Sequence, residues 1–218
     1  MLANIYLHEV LDKWWATEVQ PRLRGRSFLI RYADDFVLVF SDRKDALRVQ
    51  EVLPKRFVRF GLTLHPDKTR LVRFRRPKSD GSGPRSGSFD FLGFTFYWGR
   101  SRRKKWALKQ KTAKDRFSRA VKAAGKWMAR ARHLPIPEQA KVLGWKLHGH
   151  YNYYGIRGNM QALRRFYQEV QCLWKKWLSR RSQRARLTWD AFAQLMNRHP
   201  LPPPRYRPRR RQLRPANL

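Results

Sequence analysis

Two short runs, Phe28-Leu-Ile-Arg-Tyr-Ala and Phe36-Val-Leu-Val-Phe40, flank an adjacent acidic pair, Asp34-Asp35. Runs this rich in β-branched and aromatic residues favour pleated strands. Asp tolerates turn conformations, so the pair belongs at the tip of an antiparallel hairpin. Helical patterns flank the hairpin. Over residues 2–18, Leu2, Ile5, Leu7, Val10, Leu11 and Trp14 recur near helical spacing before Pro21. Over residues 42–60, Leu47, Val52, Leu53 and Phe57 are expected toward a core. Leu71–Phe74 and Phe89–Tyr97 read as further strands, with residues 75–88 a loop by composition. The first part is therefore α+β.

After a basic knot, Arg100–Lys105, the pattern turns helical. Phe117, Ala120, Val121, Ala124, Trp127, Met128 and Ala131 make one apolar stripe. Leu143, Leu147 and Tyr151 mark a second helix over 138–154. Leu163, Tyr167, Val170, Trp174, Trp177 and Leu178 mark a third over about 160–181. Charge divides the chain after Trp98. Residues 1–98 hold 18 basic and 11 acidic residues, and residues 99–218 hold 32 and 4. The expected domains are a sheet-bearing unit at 1–98, a helical unit at 99–190 and a Pro/Arg-rich, disordered basic tail at 191–218.

A net charge of +35 points to a polyanion partner, of which nucleic acid is the commonest. A merely solvated face would mix signs, and the second part does not. Its expected phosphate contacts are Arg102, Arg103, Lys104 and Lys105 in a basic knot, Lys114, Arg119, Lys122 and Lys126 off the first apolar stripe, and Arg164 and Arg165. Tyr153 and Tyr154 are the aromatics best placed to stack on unpaired bases. The single cysteine, Cys172, excludes an internal disulfide and a CxxC-type zinc site, and is expected to be buried. His148 and His150 lack further ligands at metal-binding spacing. No apolar run reaches the roughly 18 residues a bilayer span needs, and His8-Glu9 and Asp12-Lys13 interrupt any signal region. A cytoplasmic, nucleic-acid-associated protein is expected.

Adjacent carboxylates repel, so an exposed Asp34-Asp35 suits a divalent cation. Mg²⁺ fits best, being hard and commonly held by one or two carboxylates plus substrate phosphates. Two such ions can activate an attacking 3′-hydroxyl and stabilise leaving pyrophosphate.

With these motifs in order, residues 2–190 resemble the reverse transcriptase/maturase proteins of bacterial group II introns, in the part from the palm's motif B onward through the thumb/maturase-specific region. Leu2–Asp12 looks like the tail of the motif B helix, and Tyr32-Ala-Asp-Asp35 like the metal-binding motif C. Gly61-Leu-Thr-Leu-His-Pro-Asp-Lys68-Thr69 looks like motif D, and Phe91-Leu92-Gly93-Phe94 like the motif E primer grip. Leu143-Gly-Trp145 with Tyr151–Tyr154 resembles the region that grips intron RNA.

The resemblance implies Asp34 and Asp35 as catalytic carboxylates and Mg²⁺ ligands, with Asp34 the firmer ligand. It implies Lys68 facing the incoming triphosphate, although by spacing alone Lys68 is one more base among 50. Tyr32 and Ala33 would lie beneath the primer end, and Phe91, Leu92, Gly93 and Phe94 would support the primer. The implied partners are intron or template RNA, a DNA primer or target, and dNTPs. The motif A strand, which supplies a third carboxylate, has no counterpart in residues 1–20, where Glu9, Asp12 and Glu18 lie on a helix. The expectation is a chain that polymerises weakly or not at all alone, or that works with a separate fingers/palm polypeptide. The alternative is an RNA-binding maturase-like fragment.

Overall fold

The computed structural model describes residues 2–78, 86–182 and 186–206. The chain is α+β, with a two-stranded and a three-stranded sheet and six α-helices among the described residues. It divides into two compact units, Met1–Leu92 with Tyr97–Ala107, and Gly93–Phe96 with Leu108–Leu218.

The first unit begins with a helical run. Helix α1 (Leu2–Leu7) continues as π-helical turns at His8–Lys13 and Trp15–Val19 and closes with a 3₁₀ turn at Gln20–Arg22. π-Helical turns are uncommon and usually single. Here the wider winding brings Val10, Leu11, Trp14 and Trp15 to one buried face. Strands β1 (Ser27–Tyr32) and β2 (Asp35–Phe40) pair antiparallel, with Tyr32 opposite Asp35 and Ser27 opposite Phe40.

Helix α2 (Arg43–Arg59) starts where the Asp42 carboxylate accepts from the Lys44 N–H at 2.7 Å. Its buried stripe is Ala46, Val49, Leu53 and Phe57. Leu53 and Phe57 face inward as expected, whereas Leu47 and Val52 are exposed. The 3–4 residue spacing of the buried set leaves those two on its flanks. Leu11, Trp14, Leu53 and Phe57 form the core, covered by Leu29, Phe36 and Leu38 of the hairpin. Leu71–Phe74, expected as a strand, is not one. The backbone bond observed for it is from Gly87 N–H to the Arg73 carbonyl, at 2.8 Å. Phe74 packs edge-on against Phe89 instead.

Strands β3 (Phe89–Phe91), β4 (Phe94–Arg100) and β5 (Trp106–Thr112) form the second sheet in that order. Strand β5 lies in a stretch expected to be helical, so the second part of the chain is not all-α.

In the second unit, α3 (Lys114–Ala131), α4 (Ile136–Tyr154) and α5 (Met160–Leu178) pack on one another. Met128, Leu143, Leu147, Leu163, Phe166, Val170 and Trp174 fill the core. Two buried polar groups are fully matched. The Trp174 indole N–H donates to Gln139 Oε1 at 2.9 Å, and Gln139 Nε2 donates to the Leu134 carbonyl at 2.8 Å. Part of the stretch expected as a disordered basic tail from residue 191 is ordered. Helix α6 (Trp189–Arg198) joins the three expected helices, and its Phe192, with Leu201 beyond it, is buried in the same core. An arginine-rich stretch can still dock where apolar residues punctuate it. The end of the expected tail, residues 207–218, and loop residues 79–85 lie outside the described residues. Cys172 is exposed rather than buried, because α5 buries its neighbours Val170 and Trp174. Among the described residues no helix is long and apolar enough to cross a membrane.

Candidate active site and nucleic-acid interface

The acidic pair stands at a two-residue turn. Tyr32 ends β1, Asp35 opens β2, and Ala33 and Asp34 form the connection. Ala33 has φ +54°. Positive φ at the first of two hairpin residues is usually supplied by Gly, so an alanine there holds local strain. Tyr32, Ala33, Asp34 and Asp35 are all exposed.

Arg31 holds the turn in place. Its Nε donates to Asp12 Oδ1 at 2.7 Å and its Nη2 to Asp12 Oδ2 at 2.5 Å. Its Nη1 donates to the carbonyl of Ala33 at 2.9 Å. A fork of this kind matches a carboxylate with two parallel bonds. The Asp12 carboxyl is held below its ordinary pKa chiefly by the hydrogen bond from Arg31. Asp12 also receives His8 Nδ1 at 3.3 Å. Asp12 is thus occupied by a cation of its own chain. Sequence reasoning missed Arg31. Its one visible signal was a lone charge inside an apolar strand.

Among the described residues, neither Asp34 nor Asp35 takes part in an ion pair. Two adjacent, exposed carboxylates offering only oxygen donors fit Mg²⁺, which accepts one or two carboxylates and completes its shell with water and phosphate. No group of three or more His, Cys, Asp or Glu side chains able to hold a metal occurs among the described residues. Lys68 ends a 3₁₀ turn, Pro66–Lys68, and is exposed.

Phe91-Leu92-Gly93-Phe94 forms the tight turn between β3 and β4. Leu92 has φ +49° and Gly93 φ +75°, positive at both turn positions as in a type I′ hairpin. Glycine is required at 93 for a second reason. A Cβ there would lie 2.9 Å from the Tyr154 hydroxyl. The Gly93 carbonyl accepts from Ala113 N–H at 2.9 Å. Phe94 stacks on Tyr153 at 5.9 Å between centroids and meets Tyr154 edge-on at 5.2 Å. The second unit thereby joins Gly93 and Phe94 to Tyr153 and Tyr154, which sequence reading treated as separate features. Tyr153 is exposed. Tyr154 is half-buried, and burial raises its pKa.

Asn159 ties this region together. Its side chain accepts from Thr112 N–H at 2.9 Å and donates to Thr112 Oγ1 at 2.8 Å and to the Tyr154 carbonyl at 2.9 Å. Behind Tyr154, the His150 ring stacks on Phe166 at 3.9 Å. Burial pulls the His150 pKa down to about 4.

The expected phosphate contacts are all on the surface. Arg102, Arg103, Lys104 and Lys105 occupy the exposed β4–β5 connection. Lys114, Arg119, Lys122 and Lys126 line exposed positions of α3, and Arg164 and Arg165 those of α5. Two carry local contacts, Arg119 to Asp115 at 3.7 Å and Arg165 to Glu169 at 4.0 Å. Exposed pairs of this length contribute about 0–1 kcal/mol and leave the cations available.

An acidic hairpin turn on a small antiparallel sheet precedes, in the chain, a helical unit with a cationic surface. Residues 1–96 match the family model described as reverse transcriptase (RNA-dependent DNA polymerase). That match covers less than half of the chain and is a likeness at the level of the family. No curated protein matches the chain.

Proposed function

We propose that this chain is the palm and thumb/maturase portion of a group II intron-type reverse transcriptase. The reading is carried by Tyr32-Ala33-Asp34-Asp35 at a strained, exposed hairpin turn inside the matched residues. Asp34 and Asp35 would hold Mg²⁺, which when bound supplies Lewis-acid stabilisation of the reacting phosphoryl oxygens. Arg31 fixes the height of the turn by its bonds to Asp12 and Ala33. Tyr32 and Ala33 offer a surface for the primer end, and Phe91–Phe94 a rigid turn beside the duplex. Lys68 would neutralise charge on the triphosphate of a dNTP. The basic faces of β4–β5, α3 and α5 would hold intron or template RNA, with binding that falls steeply as salt rises.

A second reading rests on the charge of the second part, with 32 basic and 4 acidic residues. That surface serves an RNA-binding, maturase-like module without requiring polymerisation. It allows a separate fingers/palm polypeptide to complete the polymerase, in a bacterial, nucleic-acid-associated setting.

Primer extension on an RNA template with Mg²⁺ separates the two. The purified chain is compared with its Asp34→Ala/Asp35→Ala variant, and RNA binding of both is titrated at low and high salt. Extension lost in the variant supports the polymerase. Absence of extension, with equal salt-sensitive RNA binding in both proteins, supports the binding module.

A further inference from the structure

We propose that the cleft between α4 and the segment following α6 is a subsite for single-stranded nucleic acid, in which a base stacks on Trp145 while Lys141 and Arg198 hold the flanking phosphates. The proposal rests on the polynucleotide reading of the helical unit and deepens it. Diffuse positive charge alone needs no stacking platform.

Trp145 and Trp189 are the exposed tryptophans of this unit, and Trp145 is the one that lines a cleft. Trp174 is fully buried, Trp127 and Trp177 pack partly against the same core, and Trp145 is 63% exposed. Leu143, Leu147 and Tyr151 turn the other face of α4 inward. Lys141, Gly144, Trp145 and His148 follow at i, i+3, i+4 and i+7, so they form one outward ridge. The cleft beside this ridge has a volume of about 410 Å³, within the roughly 300–1,000 Å³ of small-ligand sites. Pro202 lies against Gly144, where the nearest atom to an added Cβ is Pro202 Cδ at 3.7 Å. Arg198 and His199 form the facing wall.

Charge chooses the occupant. Lys141 Nζ stands 5.2 Å from the Trp145 ring centroid, and Arg198 adds a second permanent cation. No carboxylate lines the cleft. An apolar peptide would desolvate both cations without compensation. A nucleotide strand supplies a π-face for the indole and phosphates for the cations, the combination that single-strand binders use. A duplex keeps its bases stacked internally and offers Trp145 only its ends.

The test uses the full chain and a fluorescent oligouridylate, with an oligothymidylate of equal length, an RNA duplex and inorganic polyphosphate as competitors. Because Trp145 is exposed, Trp145→Ala retains the fold, which circular dichroism verifies. We expect Trp145→Ala to weaken both single strands by about 10-fold, and Trp145→Phe to keep most of that affinity. Polyphosphate and duplex binding stay unchanged in both variants. Lys141→Ala/Arg198→Ala weakens single strands and flattens their salt dependence. Unchanged single-strand affinity in Trp145→Ala overturns the subsite, as does an equal loss for polyphosphate. A chain that binds none of the four ligands overturns the polynucleotide reading itself, a result distinct from a silent Trp145 in a chain that binds RNA.

Discussion

Arg31 and Asp12 are joined by two parallel hydrogen bonds, Nε to Oδ1 at 2.7 Å and Nη2 to Oδ2 at 2.5 Å. The same guanidinium reaches the Ala33 carbonyl at 2.9 Å. One side chain thus couples the N-terminal helical run to the turn that carries the acidic pair. Arg31→Lys retains the charge but loses the planar fork. Arg31→Ala is expected to destabilise the first unit by about 1–3 kcal/mol, the range for charge-assisted bonds. Urea unfolding of Arg31→Ala, Asp12→Asn and the double variant measures it. Strictly additive losses would show that the pair is not coupled. The carboxyl contribution persists above the ordinary Asp pKa of 3.8 and is lost only as pH falls below it, because Arg31 lowers the folded value.

Ala33 sits at φ +54°, where an L side chain is strained. Ala33→Gly relieves that strain and should stabilise the hairpin by about 1 kcal/mol, less the greater unfolded-state freedom of glycine. The readout is the denaturant midpoint. A lower midpoint would show that Ala33 is not held against its preference.

Gly93→Ala meets two obstacles, φ +75° and a Tyr154 hydroxyl 2.9 Å from the new methyl. The expected loss is about 1–3 kcal/mol, as for overpacked and strained positions. Adding Tyr154→Phe removes the oxygen and should recover part of it, leaving the backbone cost. If the second change recovers nothing, the close approach is not what the glycine serves.

His150 is half-buried against Phe166 and Tyr154, its buried Nε2 is without a partner, and burial pulls its pKa down to about 4 against an ordinary 6.5. The folded state therefore resists a proton that the unfolded chain accepts. Stability is unaffected above pH 6.5 and falls as pH drops from 6.5 toward 4. His150→Phe should flatten this dependence. Thermal unfolding across that range checks it, and an equal slope in both proteins would assign the effect elsewhere.

Asn159→Ala removes three hydrogen bonds at once and leaves the buried Thr112 N–H without its acceptor. A loss of about 2–4 kcal/mol is expected. Hydrogen exchange at Thr112 should accelerate with it, and a protected Thr112 amide would contradict the assignment.

Much of the local structure was legible because it depends on near neighbours. The hairpin followed from strand-forming residues around Asp34-Asp35, and the α3, α4 and α5 stripes from 3.6-residue spacing. The cationic surface followed from charge that no folding could neutralise. What escaped required residues distant in sequence. Arg31 became a clamp only when Asp12, 19 positions earlier, was folded beside it. Leu71–Phe74 had strand composition but acquired no ladder, because strand pairing needs a partner as well as propensity. Leu201, in a Pro- and Arg-rich stretch, became core only because α6 carried it there. Nor could spacing tell Trp145 from Trp174. Both lie on amphipathic helices, and one is exposed and the other buried because tertiary packing decides which face of a helix is covered.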